Sequence, residues 1–166
     1  MLVITGGLKT CKIQSMLALN DMTTYPEVSS LLPHRPPMLL VKRIVDVGEK
    51  TGVAEAVADN QHVFLRADGT LAPEVCCELI AQGFGVCEAW RRTQKGLTIE
   101  GGGYLSNMRE VECFAPARLG DELTIRTEKE DECFNTYIVR GEVFCGERKL
   151  AQASIYIFMW EGEPPV

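Results

Sequence analysis

Two residues able to move protons near neutral pH stand close together in QHVFLRADGTLAPEVCCELIAQGFGVCEAW, residues 61–90. His62 opens a glycine- and proline-broken loop, and Glu78 follows sixteen residues later inside a segment that is otherwise apolar. An imidazole accepts a proton near neutral pH. A carboxyl in dry surroundings keeps its proton into the same range. Such a pair can take a proton from one atom of a substrate and give one to a leaving group. His62 alone reads more readily as a surface or hydrogen-bonded structural residue, and only the pairing gives it weight.

The carboxylate lies on a polar stripe. Glu74, Glu78 and Gln82 are spaced four apart and share one face of a helix predicted over about Glu74 to Thr93. Glu74, in the first turn, complements the helix dipole. Glu78 has two readings. If the stripe is the wet side of the helix, it is an ordinary solvated acid. If the face is buried, the charge is costly and its pKa rises. The start of the helix also offers backbone N–H groups suited to a developing oxyanion.

The elements that must position this stripe follow from the patterning. Glu27 to Leu32 is a short helical or turn-like piece, and Pro33, Pro36 and Pro37 then forbid regular helix. A strand begins at Met38, a turn spans Gly48 to Gly52, and Val53 to Ala58 returns as the second strand of an antiparallel hairpin. Arg91, Arg92 and Lys95 before Gly96 suit the end of the helix. After GGGYLSNMREVECFAPARLGD come three β-patterned runs, ELTIRTEKE, FNTYIVRGEVF and KLAQASIYIFMW. A helix apolar on most sides must be wrapped. The expectation is therefore an α+β fold, one long central helix wrapped by a curled, mainly antiparallel sheet of about six strands. Residues 1–25 read as a loose extension, 26–161 as a single domain and 162–166 as a polar tail. Met22 is a candidate start, since organised patterning begins just after it.

Composition narrows the function. The chain has 166 residues, enough for one core, with 46% hydrophobic and 24% charged residues, as in an ordinary globular domain. A net charge of −6 argues against a general nucleic-acid binder. No apolar run is long enough to span a membrane. The cysteines, seven in all, form no CxxC pair and read as buried free thiols of a cytoplasmic protein.

Three stretches carry a family resemblance. LLPHRPPMLLVKRIVDV resembles the N-terminal strand motif of the β-hydroxyacyl-acyl-carrier-protein dehydratases of the hotdog fold. ELIAQ, Glu78 to Gln82, resembles the start of their central helix, whose E-x-x-A-Q pattern carries the catalytic acid. GGGYLSNMREVECFAPARLGDELTIRTE resembles a later strand with its Gly-Asp turn. The family's loop H-F-P-G-x-P-x-x-P-G is here HVFLRADGTLAP, and His62 lies two residues farther from Glu78 than the family spacing. In this the chain is similar to divergent dehydratase-like proteins associated with aryl-polyene and related pathways.

The resemblance implies dehydration of a 3-hydroxyacyl thioester to the trans-2-enoyl thioester by a homodimer, with an acyl tunnel at the interface. It implies that His62 and Glu78 reach each site from opposite subunits, and that His34 is structural. His62 would take the α-proton and Glu78 would serve the departing hydroxyl. Val75, Gln82, Gly102 and Gly103 are the candidates for substrate and oxyanion contacts. No metal or organic cofactor is required. The implied partner is an acyl-carrier protein with a phosphopantetheine-linked acyl chain. Since that carrier is acidic, docking needs a local basic patch, for which Arg91, Arg92, Lys95, Arg109 and Arg118 are candidates. Two alternatives stand beside this reading. One is a thioesterase in which Glu78 works alone, the other a noncatalytic acyl-binding partner of a dehydratase.

Overall fold

The computed structural model describes residues 24–59, 63–97, 101–160 and Gly162. His62 lies outside the described residues, as do nearly all of the expected extension and most of the expected tail. A 3₁₀ turn, Val28–Ser30, precedes β1 (Val41–Val47) and β2 (Thr51–Val57). Helix α1 (Val75–Gln94) follows, then β3 (Gly102–Cys113), β4 (Glu122–Cys133), β5 (Thr136–Cys145) and β6 (Arg148–Trp160). All neighbours pair antiparallel in one six-stranded sheet of order β1-β2-β4-β5-β6-β3. The helix carries the chain across the sheet to its far edge at β3. Strands β4, β5 and β6 then fill the space between β2 and that edge.

Period-two alternation sets which face meets the helix. Gly52, Ala54 and Ala56 of β2 turn inward, as do Leu123, Ile125 and Thr127 of β4 and Val139, Gly141 and Val143 of β5. Against them α1 buries Val75, Cys76, Cys77, Leu79, Ile80, Phe84, Val86 and Cys87. Close approach explains the glycine that weakens the helix pattern. A Cβ on Gly83 would come within 2.7 Å of Ile125 Cγ2, and one on Gly141 would run into Ile80. The helix therefore lies almost directly on the strands. Gly96, at φ +69, follows its last turn, as the sequence predicted.

The far end of α1 is fastened by Arg91, which corrects its expected place on a docking surface. Arg91 is 8% exposed. Its Nε donates to Gly48 O at 2.8 Å, its Nη2 to Thr51 O, and its Nη1 to Glu88 Oε2 at 2.8 Å. The guanidinium closes the β1–β2 turn onto the helix and is buried there, away from any docking partner. Removing one member of a buried pair strands the other charge, so Arg91→Ala is expected to destabilise the protein by about 3 kcal/mol. Urea unfolding checks this; an unchanged midpoint would mean that the pair contributes nothing to the fold.

Two other expectations need correction. Strand β4 runs past ELTIRTEKE through Asp131 to Cys133, and the turn takes Phe134 and Asn135, the first two residues of the expected strand FNTYIVRGEVF. This end of the hairpin projects beyond the core with water on both sides, so its strand residues are charged and mimic a loop. The cysteines also divide. Cys76, Cys77 and Cys87 are buried, whereas Cys113 and Cys133 are exposed and Cys145 is intermediate. Burial pushes the Cys87 thiol up to about 12.

Candidate active site

The polar stripe of α1 passes from water to core within two turns. Glu74 is exposed and lies 3.5 Å from Arg66. Glu78 keeps 30% of its side-chain surface. Gln82 is buried at 2%. Neither sequence reading of Glu78 holds in its simple form, because the carboxylate faces a cleft and not bulk water or dry core. The cleft measures about 780 Å³ and is lined by Leu32, His34, Glu78, Phe84, Gly103 and Trp160 among others. That volume suits an acyl chain with its thioester end.

Gln82 fixes Glu78 to the strand layer. Its Nε2 donates to Glu78 Oε1 at 2.7 Å and to Met38 O at 2.8 Å, while its Oε1 accepts from Leu40 N at 2.9 Å. Both amide hydrogens are engaged, so Gln82 holds the Glu78 carboxyl and has none left to offer a substrate; this corrects its expected direct role. The i, i+4 spacing in ELIAQ makes the contact, and the chain segment entering β1 supplies the other two.

The same segment brings in His34. Arg35 Nη1 donates to Leu32 O at 2.9 Å and to His34 O at 2.7 Å, which pins the turn between Pro33 and the cis Pro36–Pro37 bond. His34 Nε2 then lies 3.6 Å from Glu78 Oε1, and His34 Nδ1 is buried with no hydrogen-bond partner. Sequence reasoning gave His34 a structural role and did not join it to Glu78. The two residues are 44 positions apart, and only the packing of the proline-rich turn against α1 reveals the approach.

The other candidates separate. Val75 N–H donates to Ala72 O at 3.1 Å, so this donor is already used at the helix start, which corrects its expected oxyanion role. Gly102 and Gly103 line the cleft beside Trp160 and Met159, whose side chains occupy the space a Cβ would need. Arg92 also lines the cleft. Arg109 stacks over Tyr156 at 5.4 Å on the outer strand, and Arg118 and Lys95 are exposed. Among the described residues no group of three His, Cys, Asp or Glu is arranged to hold a metal ion. Among them, too, no helix is long and apolar enough to cross a membrane.

The last strand of the sheet leaves a surface uncovered. Edge strand β3 has almost no buried residue along its twelve positions. It exposes Tyr104, Met108 and Val111 at 48%, 50% and 44%, beside an unpaired row of backbone groups. Natural proteins seldom leave so long an edge open.

Comparison with known proteins places this geometry. Residues 26–163 match the ApeP-like family, described as ApeP dehydratase. No curated protein matches the chain. Among solved structures, the dehydratase heterocomplex ApeI:P from Xenorhabdus doucetiae is similar, with a TM-score of 0.77 and 24% identity over 83% of this chain and 93% of that one. A hypothetical thioesterase protein with coenzyme A from Streptococcus pneumoniae gives 0.56 and 16% identity, covering 74% of this chain and 88% of that one. A probable thioesterase from Bartonella henselae gives 0.54 and 18%, covering 70% and 97%. At these identities the structures share the fold, and the single helix on an open six-stranded antiparallel sheet is the hotdog fold.

Proposed function

The chain belongs to the ApeP-like family of dehydratases, and on that premise we propose that it converts a 3-hydroxyacyl thioester, carried by an acyl-carrier protein, into the trans-2-enoyl thioester. The observation that carries this reading is the setting of Glu78. It stands between the buried Cys77 and Leu79 in the first turn of α1, is held by Gln82 and opens on a cleft of about 780 Å³.

The chemistry divides between two groups. His62 removes the proton at the carbon next to the thioester carbonyl, and the electron pair forms the carbon–carbon double bond through an enolate. Glu78 gives its proton to the β-hydroxyl as the carbon–oxygen bond breaks and water leaves. The α-proton is weakly acidic and hydroxide is a poor leaving group, so acid and base are both needed. Gly102 and Gly103 are the backbone candidates for steadying the enolate oxygen.

The site is completed by a second subunit. Edge strand β3 is the surface for this contact, since pairing there would cover both its apolar side chains and its open backbone. We take the partner to be a second copy of the chain, with His62 supplied across the interface. The Xenorhabdus structure is a heterocomplex, so co-purification with a different dehydratase subunit is the competing outcome.

Product analysis tests the reaction. A carrier-bound 3-hydroxyacyl thioester is expected to lose water and yield the enoyl thioester. Release of free thiol would assign a thioesterase instead, and binding without turnover a noncatalytic partner. With Arg91 buried, docking falls to Arg92, Lys95, Arg109 and Arg118. Arg118→Glu is expected to raise KM for the carrier-bound substrate by roughly tenfold and to leave a short thioester mimic unaffected. Equal effects on both substrates would count against docking there.

A further inference from the structure

We propose that His34 is a positioning residue of this site: neutral, with its proton on Nε2, it joins Gln82 in presenting N–H donors to Glu78 Oε1 and so leaves the transferable proton of the acid on Oε2. This rests on Glu78 being the acid of the reaction proposed above.

The tautomer follows from what surrounds the ring. His34 Nδ1 is sealed from water and meets no acceptor. An imidazolium would bury an N–H at Nδ1 with nothing to bond. A proton on Nδ1 alone would bury the same N–H and also turn the Nε2 lone pair toward the lone pairs of Glu78 Oε1, 3.6 Å away. A proton on Nε2 avoids both costs. It leaves a bare lone pair at the buried Nδ1 and aims a donor at the carboxyl. The backbone holds the ring there, because Arg35 bridges Leu32 O and His34 O.

The orientation of Gln82 is fixed in the same way. Its Oε1 must accept from Leu40 N–H and its Nε2 must donate to Met38 O. A flipped amide would set N–H against N–H, so the atom facing Glu78 Oε1 is a donor. Oε1 therefore receives Gln82 Nε2 at 2.7 Å and faces His34 Nε2. A carboxyl that accepts at one oxygen carries its proton on the other. The His34 contact is longer than a hydrogen bond, and a closure of about 0.6 Å would make it one. Such contacts tighten when substrate fills a site. His34 thereby differs in role from His62. It comes from the same subunit as Glu78 and moves no proton itself.

Two measurements on the full-length protein test this. The first is ¹⁵N NMR of histidine-labelled protein at neutral pH, with His34 assigned by the signals lost in His34→Gln. The expected ring is neutral and protonated at Nε2, and its Nε2 resonance shifts in Glu78→Gln. A ring protonated at Nδ1, or at both nitrogens, would overturn the proposal. The second is kinetic. His34→Ala is expected to lower kcat by about tenfold with KM unchanged, and His34→Gln, whose amide can still donate, to keep kcat within a few-fold of the native value. A folded His34→Ala protein with native kcat would also overturn it, as would loss of kcat in His34→Gln equal to that in His34→Ala. A native protein without dehydratase activity would overturn the reading of the reaction, and the ¹⁵N result then decides only whether His34 presents its Nε2 N–H to Glu78.

Discussion

Glu78→Gln is expected to lower dehydration by about 10²-fold or more while leaving the protein folded. The replacement keeps the size of the side chain, and its amide oxygen can still accept the bond from Gln82 Nε2. It has no proton to give to a departing hydroxyl. Removing a potential charge from a partly covered position should leave stability neutral or slightly raised. Loss of turnover with an unchanged urea midpoint would thus separate chemistry from folding. His62→Ala should cost a similar factor, and the double variant should fall well short of the product of the two losses, since both groups act in one transition state. If Glu78→Gln keeps normal dehydration while His62→Ala abolishes it, the acid lies elsewhere and the two-residue mechanism is wrong.

Charging the β3 edge is expected to have an effect of the same order through a different cause. Met108 and Val111 are about half exposed in the single chain. Replacing both with glutamate should change the stability of an isolated subunit by no more than about 0.5 kcal/mol per site. In a paired edge the same carboxylates would lie against their symmetry mates and lose their water. The double variant is therefore expected to sediment as a folded monomer and to lose dehydration, because in the proposed dimer the base comes from the second subunit. A variant that remains dimeric and active would place the interface on another surface.

The fold was legible because its main elements obey simple periods. Alternation in Leu123, Ile125 and Thr127 gave β4 its inner face, and the nearly all-round apolar α1 required a sheet to wrap it. The stripe of Glu74, Glu78 and Gln82 was equally readable, because helical spacing is a local property. What escaped depends on contacts between distant segments. Arg91 reads as a basic helix end, and only the β1–β2 turn folding over it makes it an internal fastening. Gln82 reads as a polar group beside an acid, yet both its amide hydrogens are taken, one by the backbone entering β1 and one by Glu78. His34 carries no local sign that its ring will stand over Glu78. The Val75 donor was misjudged for a related reason: the helix start is tightened by a bond to Ala72 O that no residue type announces.

The central claim is that Glu78 of one subunit and His62 of another form a single site, and subunit mixing tests it most directly. Glu78→Gln and His62→Ala proteins, each inactive alone, would be unfolded together, refolded and assayed with a 3-hydroxyacyl thioester. If the residues come from opposite subunits, each mixed dimer contains one site with both native groups and one with neither. Random pairing should then restore roughly a quarter of native activity. If both residues act within one chain, every site in the mixture carries one defect and mixing would restore nothing.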